Sequence, residues 1–291
     1  MIPSPPSSTK VMKVRTDLGE RGGYLSHRSE LLHFVEHRPT GQPRGHVLLA
    51  GPLPDERTHT HLTWVRWSRF LAQHGFLVLR FDYSGTGEST GLIEQATLTA
   101  WSADLAAAFE YLNRNRRGEP MILHGLRLGG LLATRSFHNG PASALLTWEP
   151  TMSGDALLVD AARRQQAANL VQGISGAGPG PRALASRLDE GETVSINGYP
   201  WSPEFWSDAR GWYLSRQRSE DKRPSLHLRL RRHVSKEDSS ASRTDQPGSV
   251  ADDTETISIS WPPFWMVGNR LVHQLDALFQ RSLAFIEQTT R

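Results

Sequence analysis

Apolar positions in this 291-residue chain follow two rhythms that alternate along its length. Short continuous runs, Gly45–Ala50, Phe76–Phe81 and Ala144–Trp148, are bounded by turn residues such as Gly51-Pro52 and read as fully buried strands. A further run, Met121-Ile122-Leu123, leads into a glycine-bounded turn. Between these runs the spacing becomes helical. Residues 61–74 present Leu62, Trp64, Val65, Phe70 and Leu71 as inner positions, residues 101–112 present Trp101, Leu105, Ala108, Phe109 and Leu112, and another helix starts near Leu128. Upstream, residues 10–40 predict two or three strands, of which Leu31-Leu32-His33-Phe34-Val35-Glu36-His37 is the clearest, and the Pro/Ser-rich residues 1–9 predict a disordered tail. Strands alternating with helices of this length imply parallel β-α-β units in a sheet covered on both faces. Right-handed crossovers then gather the strand C-terminal ends, and any site, along one edge.

The rhythm breaks between 151 and 200. A helix over 155–172 gives way to Gly173-Ile174-Ser175-Gly176-Ala177-Gly178-Pro179-Gly180-Pro181, whose composition is that of a hinge. This segment predicts an insertion lying as a lid over the sheet edge, within a single domain spanning 10–291. Strands resume at 226–232 and 256–261, separated by a polar loop over 235–254. A terminal helix over 271–286 aligns Leu271, Leu275, Leu278 and Phe279 on one face.

Composition narrows the chemistry. With no cysteine, disulfides, thiolate catalysis and cysteine-held metals are excluded. The net charge is only +3, and arginine rather than lysine carries the positive side. The densest basic run, Arg229-Leu230-Arg231-Arg232-His233, alternates like a strand and lacks interleaved aromatics, so it reads as a solvated sheet face or edge and not as a nucleic-acid patch. The N-terminus has neither the basic nor the apolar region of a secretion signal, and no stretch reaches the apolar length of a membrane span, so the expected location is the cytoplasm. His59 and His61 form a His-x-His with no third ligand in sight, so they read as surface histidines, and nothing else implies a metal or a cofactor.

The most informative segment is Met121 to Gly130. A strand runs into Gly125-Leu126-Arg127-Leu128-Gly129 and then a helix, the layout of a G-x-S-x-G nucleophile elbow with arginine in the place of the serine. A guanidinium stays protonated at physiological pH and cannot serve as an oxygen or sulfur nucleophile. Seated at a helix N-terminus, where free N–H groups favour an anion, a cation costs about 0.3–1 kcal/mol unless something negative offsets it. The internal answer is an acid at the same sheet edge: Glu149, which ends the neighbouring strand, or Asp82 or Glu56. The other answer is an anionic ligand held by Arg127 with the N–H of Leu128 and of Leu53. Glu149 is the expected charge partner.

Together these elements resemble the α/β-hydrolase superfamily over residues 30–160, with a weaker match from 190 to 288. They are closer still to the hydrolase-like proteins associated with exosortase and exopolysaccharide gene clusters. The motifs that carry this are Ala50-Gly51-Pro52-Leu53-Pro54-Asp55-Glu56, the turn Phe81-Asp82-Tyr83-Ser84-Gly85-Thr86-Gly87-Glu88-Ser89, the elbow itself, Trp148-Glu149-Pro150-Thr151-Met152-Ser153-Gly154-Asp155-Ala156-Leu157-Leu158, and Pro262-Pro263-Phe264-Trp265. The resemblance implies an eight-stranded, mostly parallel α/β-hydrolase sheet with helices on both faces. It also implies a triad in the order nucleophile, acid, histidine. The acid would follow the seventh strand, where Asp238 and Asp245 stand, and both read as solvated surface. The histidine would follow the last strand, yet residues 261–270 contain none, and His273 falls in the terminal helix. Ser84 and Ser89 lie near the sheet edge. Ser89 reads as a turn-bonding residue, and Ser84 has no base beside it unless His124 approaches.

Two functions follow as expectations. One is a catalytically degenerate homologue that binds a small anionic, acyl-linked or glycan-linked ligand, or a partner protein. The other is an active hydrolase of an ester or acyl group working through a rearranged site.

Overall fold

The computed structural model describes residues 19–114, 116–174, 178–215, 221–232, 254–259, 263–266 and 275–290. The tail over 1–9, Asp238, Asp245, His273 and the loop over 235–253 lie outside the described residues, as do residues 175–177 of the expected hinge. The strands are β1 (Glu20–His27), β2 (Glu30–His37), β3 (Gly45–Ala50), β4 (Phe76–Phe81), β5 (Met121–Leu126), β6 (Ala144–Trp148), β7 (Val194–Ile196), β8 (Tyr199–Trp201), β9 (Ser225–Arg232) and β10 (Thr254–Ile259). The helices are α1 (Pro54–Gln73), α2 (Leu98–Arg114), α3 (Leu128–Asn139), α4 (Gly154–Val171), α5 (Pro181–Asp189), α6 (Pro203–Ala209) and α7 (Asp276–Gln288).

Eight strands form one sheet in the order β1-β2-β4-β3-β5-β6-β9-β10, and β7 and β8 form a separate hairpin. β2 runs antiparallel to β1 and β4, while the pairs from β4 to β10 are parallel. This is the mostly parallel sheet that the alternating rhythm implied. Each face carries its own core. Trp101, Leu105 and Leu112 of α2 with Leu131 and Phe137 of α3 cover one face, and Trp67 and Leu71 of α1 with Leu278 and Ile286 of α7 cover the other. Each such side chain contributes roughly 1.5–3 kcal/mol when fully removed from water.

Helix α2 and strand β10 start three and two residues earlier than expected, and two larger differences have identifiable reasons. Helix α1 begins seven residues earlier than its apolar periodicity, because Pro54 occupies its first turn together with Asp55 and Glu56, which favour a helix start without any need for apolar residues. Its inner face also has a different phase. Trp64, Trp67 and Leu71 are buried, whereas Leu62 is 45% exposed. The second difference is in the stretch after β6. It holds α4, α5, the β7–β8 hairpin and α6 before the chain returns to the sheet at β9, so the insertion runs beyond residue 200. It is seated on the sheet's helical layer by the Asp208 carboxylate, which accepts from Thr99 N–H at 2.9 Å at the start of α2. Residues 229–232 of the basic run lie on β9, which is flanked by β6 and β10 and is therefore not an edge, although Arg231 is exposed; His233 lies outside the described residues.

The elbow geometry rests on its glycines. Arg127 sits at φ 55° and ψ −117°, a conformation that costs about 1–3 kcal/mol for a residue with a side chain. It persists because Arg127 N–H donates to Trp148 O (3.0 Å) and Arg127 O accepts from the N–H of Gly130 (3.0 Å) and of Thr151 (3.1 Å). A Cβ on Gly125 would overlap Gly129 O, and one on Gly129 would overlap Ala50 O and crowd Gly51 O. β5, α3 and the end of β3 can approach this closely only with glycine at both positions.

Candidate functional site

The strained turn points Arg127 over the C-terminal edge of the sheet, where it is 7% exposed. Its Nε donates to Glu56 Oε1 at 3.0 Å and its Nη2 to Asp160 Oδ2 at 2.7 Å. Burial works against the charge, but the facing Glu56 and Asp160 carboxylates more than offset it and hold the guanidinium above its usual range. Glu56 is itself buried and shares Oε1 with a second arginine, Arg164 of α4, whose Nη1 lies at 3.0 Å. Arg164 also donates to Asp55 Oδ2 at 2.9 Å, and Asn197 Nδ2 donates to the same oxygen at 3.0 Å. Two guanidinium groups and three carboxylates are thus interlocked across α1, the elbow, α4 and the β7–β8 turn.

The expected partner, Glu149, does not meet Arg127. It takes a positive φ of 42° and turns toward β9, accepting from Leu230 N–H at 2.7 Å and from Arg229 Nη1 at 3.2 Å. A backbone N–H and a cation of the next strand thus satisfy both its oxygens. Asp82 also lies elsewhere, in a two-point pair with Arg57 at 2.8 and 2.9 Å. Of the three acids named from sequence, Glu56 is the one at the guanidinium. Leu53 is the N-cap of α1 and Leu128 opens α3, so the N–H of Leu128 is among those with no partner inside its helix.

The loop after β10 contributes an aromatic ring where a histidine was expected and not found. The Arg127 guanidinium carbon lies 5.5 Å from the centre of the Trp265 ring, a cation–π contact that closes the remaining side of the charge. Beside this cluster is a cavity of about 740 Å³, within the range of small-molecule sites. Asp55 and His59 of α1, Arg164 of α4, Asn197 and Tyr199 of the hairpin and Trp265 contribute to its wall. Asp160, Arg164, Asn197 and Trp265 were not assigned roles from sequence. Trp265 stood in a recognised motif, but the three insertion residues carry no local signal, because their placement depends on how the insertion folds back.

Other candidates separate from this cluster. Ser84 Oγ donates to Asp104 at 2.7 Å, and Ser89 Oγ donates to Asp82 O at 2.6 Å inside the turn. His124 does not approach Ser84. It lies on the α1–α7 side of the sheet, edge-on to Trp64 and Trp148, and its Nδ1 accepts from Trp67 Nε1 at 3.0 Å. Complete burial pushes its pKa down to about 3. Among the described residues no group of three or more His, Asp or Glu side chains is arranged to hold a metal, and no helix is long and apolar enough to cross a membrane.

Among the described residues His124 is one of four buried histidines, with His37 and His227, both lowered to about 4 chiefly by burial, and His46, lowered for the same reason. Because the folded pKa lies below the unfolded value of roughly 6.5, the unfolded chain binds more protons between the two. Stability is therefore full above pH 6.5 and is lost as pH falls toward 4 and 3, at up to about 1.4 kcal/mol per pH unit for each histidine. Denaturant midpoints should fall between pH 7.5 and 5.5, and His124→Asn should flatten part of that slope. Equal midpoints at the two pH values would show that these rings are not held neutral.

Comparison with known proteins bears on the fold. A family model described as serine aminopeptidase, S33, matches residues 60–174. The mitochondrial palmitoyl-protein thioesterase ABHD10 of Mus musculus is 30% identical over 105 residues, which cover 36% of this chain and 33% of that protein. The aligned stretch thus spans about a third of the length of the curated relatives it matches. Among solved structures, Est1E from Butyrivibrio proteoclasticus with ferulic acid bound overlays with a TM-score of 0.60 at 18% identity, covering 91% of this chain and 98% of that one. Alpha/beta hydrolase domain-containing protein 10 from mouse overlays with a TM-score of 0.57 at 18% identity, covering 92% and 98%. The chain has the α/β-hydrolase fold, and over residues 60–174 it is similar to the serine aminopeptidase family model.

Proposed function

We propose that this chain is a catalytically degenerate α/β-hydrolase homologue that binds a ligand bearing a carboxylate or phosphate at the elbow, with the insertion α4–α6 as the cover of that site. The observation that carries the reading is Arg127 itself, a buried cation at the nucleophile's position with Glu56 and Asp160 as its partners. A residue that can neither attack a carbonyl nor accept a proton removes the acyl-transfer step of a serine mechanism. It supplies instead two-point recognition of an anion.

The two acids hold Arg127 unequally, and that gives the ligand its way in. The Glu56 side chain is 1% exposed, whereas that of Asp160 on α4 is 36% exposed. An incoming anion displaces Asp160 from Nη2, takes the free N–H at the start of α3, and leaves the Glu56 pair in place. With two cations against three acids the cluster already carries a net negative charge, so the anion enters against it and the remainder of the ligand, in the neighbouring cavity, has to supply the affinity. The motif-level resemblance to exosortase-associated proteins supports an acyl- or glycan-linked remainder.

The test uses octanoate and inorganic phosphate as probes, by thermal shift in a buffer of fixed chloride. Asp160→Asn removes the competing charge and keeps the side-chain shape, so it should bind at least one probe several-fold more tightly than the parent. Equal or weaker binding of both probes by Asp160→Asn would reject the exchange.

A further inference from the structure

A second, smaller cavity lies between α1 and the C-terminal end of β4, and two arginines and one acid line it. One face of α1 contributes Arg57, Thr60, His61 and Trp64, at the i, i+3, i+4, i+7 spacing that aligns side chains along a helix. The opposite wall includes Arg80 and Asp82. The space measures about 30 Å³, enough for roughly two water-sized groups.

Two arginines face one acid here. Arg57 is committed to Asp82 through Nε and Nη2. Asp82 is already saturated, because it also accepts from Glu88 N–H at 3.1 Å and has His33 Nδ1 at 3.6 Å. Among the described residues Arg80 makes no ion pair. Its hydrogen bond runs from Nε to His37 Nε2 at 3.0 Å, so the two terminal nitrogens of its guanidinium are left for the cavity it lines. Glu20, paired with Arg69 at 2.6 Å, lies on the far side of the His37 ring, 3.1 Å from its Nδ1, and acts on Arg80 from there without an ion pair. Arg57 and Arg80 both push down the pKa of the His61 ring, behind the larger effect of burial, so His61 adds a neutral donor and no compensating charge. Burial holds the Arg80 guanidinium below its usual range, outweighing the Asp82 and Glu20 carboxylates that favour its charge, so a further anion beside it would be favourable. The wall of the pocket itself carries two arginines and one carboxylate.

We propose that this cavity is a binding site for one small monovalent anion, a halide or a carboxylate of formate size, held between Arg57 and Arg80 beside His61. The site is separate from the Arg127 cluster, since Arg57 and Glu56 leave α1 in different directions, toward Asp82 and toward Arg127. A bound anion ties the first turns of α1 to the end of β4 and so braces the helix that also carries Glu56.

The test holds ionic strength constant while chloride replaces gluconate, which is too large for the space. The melting midpoint of the parent protein should rise saturably, by about 2–4 °C, and formate in place of chloride distinguishes a carboxylate site from a halide site. Arg80→Gln should abolish the rise. If that variant does not fold, chlorine-35 line broadening by the parent protein, reversed by bromide or formate, reads the same site without a substitution. No saturable response to either anion would overturn the proposal, and so would an Arg80→Gln protein that responds as the parent does. Because the variants and the ligands differ from those that probe Asp160, either site can fail without the other.

Discussion

Replacing Glu56 with alanine should lower the unfolding free energy by about 3–5 kcal/mol, a large fraction of what a domain of this size possesses. Glu56 is almost fully buried, and a single oxygen, Oε1, accepts from Arg127 and meets Arg164. Its loss leaves two guanidinium groups facing each other with only Asp160 and Asp55 to share between them. Breaking a buried ion pair costs more than the pair contributes, because the surviving charge remains desolvated. Glu56→Gln keeps the shape and an acceptor oxygen, so it should lose less. Urea unfolding measures both. A loss below about 1 kcal/mol for Glu56→Ala would mean that the cluster is solvated and that Arg127 is not fixed by it.

Arg127→Ser should be milder in stability and null in activity. Glu56 keeps Arg164, and the Asp160 left unpaired is partly exposed, so the expected cost is roughly 1–3 kcal/mol, set by the lost hydrogen bonds and the contact with Trp265. The new hydroxyl would stand at the position of a serine nucleophile, yet it should turn over no ester. Serine attack needs a neighbouring base, and removal of a triad member typically leaves activity orders of magnitude down. In this protein Trp265 occupies the space beside residue 127, and His124 is turned into the tryptophan cluster beneath the sheet with its pKa depressed by burial. Measurable turnover of p-nitrophenyl butyrate by Arg127→Ser would reveal a base at the site, with His59 on the cavity wall the first to substitute.

The sheet was legible because burial on both faces leaves continuous apolar runs. Gly45–Ala50, Phe76–Phe81 and Ala144–Trp148 have the same bounds in sequence and structure. The elbow was legible because only glycine tolerates its close approaches, so the spacing of Gly125 and Gly129 is itself a geometric statement. The start of α1 was not, since its first turn is polar and faces the site, where periodicity is silent. The partner of Arg127 was missed for a related reason. Adjacency of β5 and β6 placed Glu149 beside Arg127 in register, but both residues take positive φ and their side chains leave the sheet edge in different directions. Asp160 arrives from the insertion, and its position depends on tertiary folding of α4 over the edge. Glu56 was within reach of the reading because it stands in the motif Ala50–Glu56, which runs from the end of β3 into the first turn of α1.

The claim that this chain no longer carries out serine acyl chemistry is tested most directly by intact-mass analysis after incubation with a fluorophosphonate probe. The account predicts an unchanged mass for the parent protein under conditions that label an active serine hydrolase to completion. One stoichiometric adduct, lost on replacing a single serine such as Ser84, would contradict it.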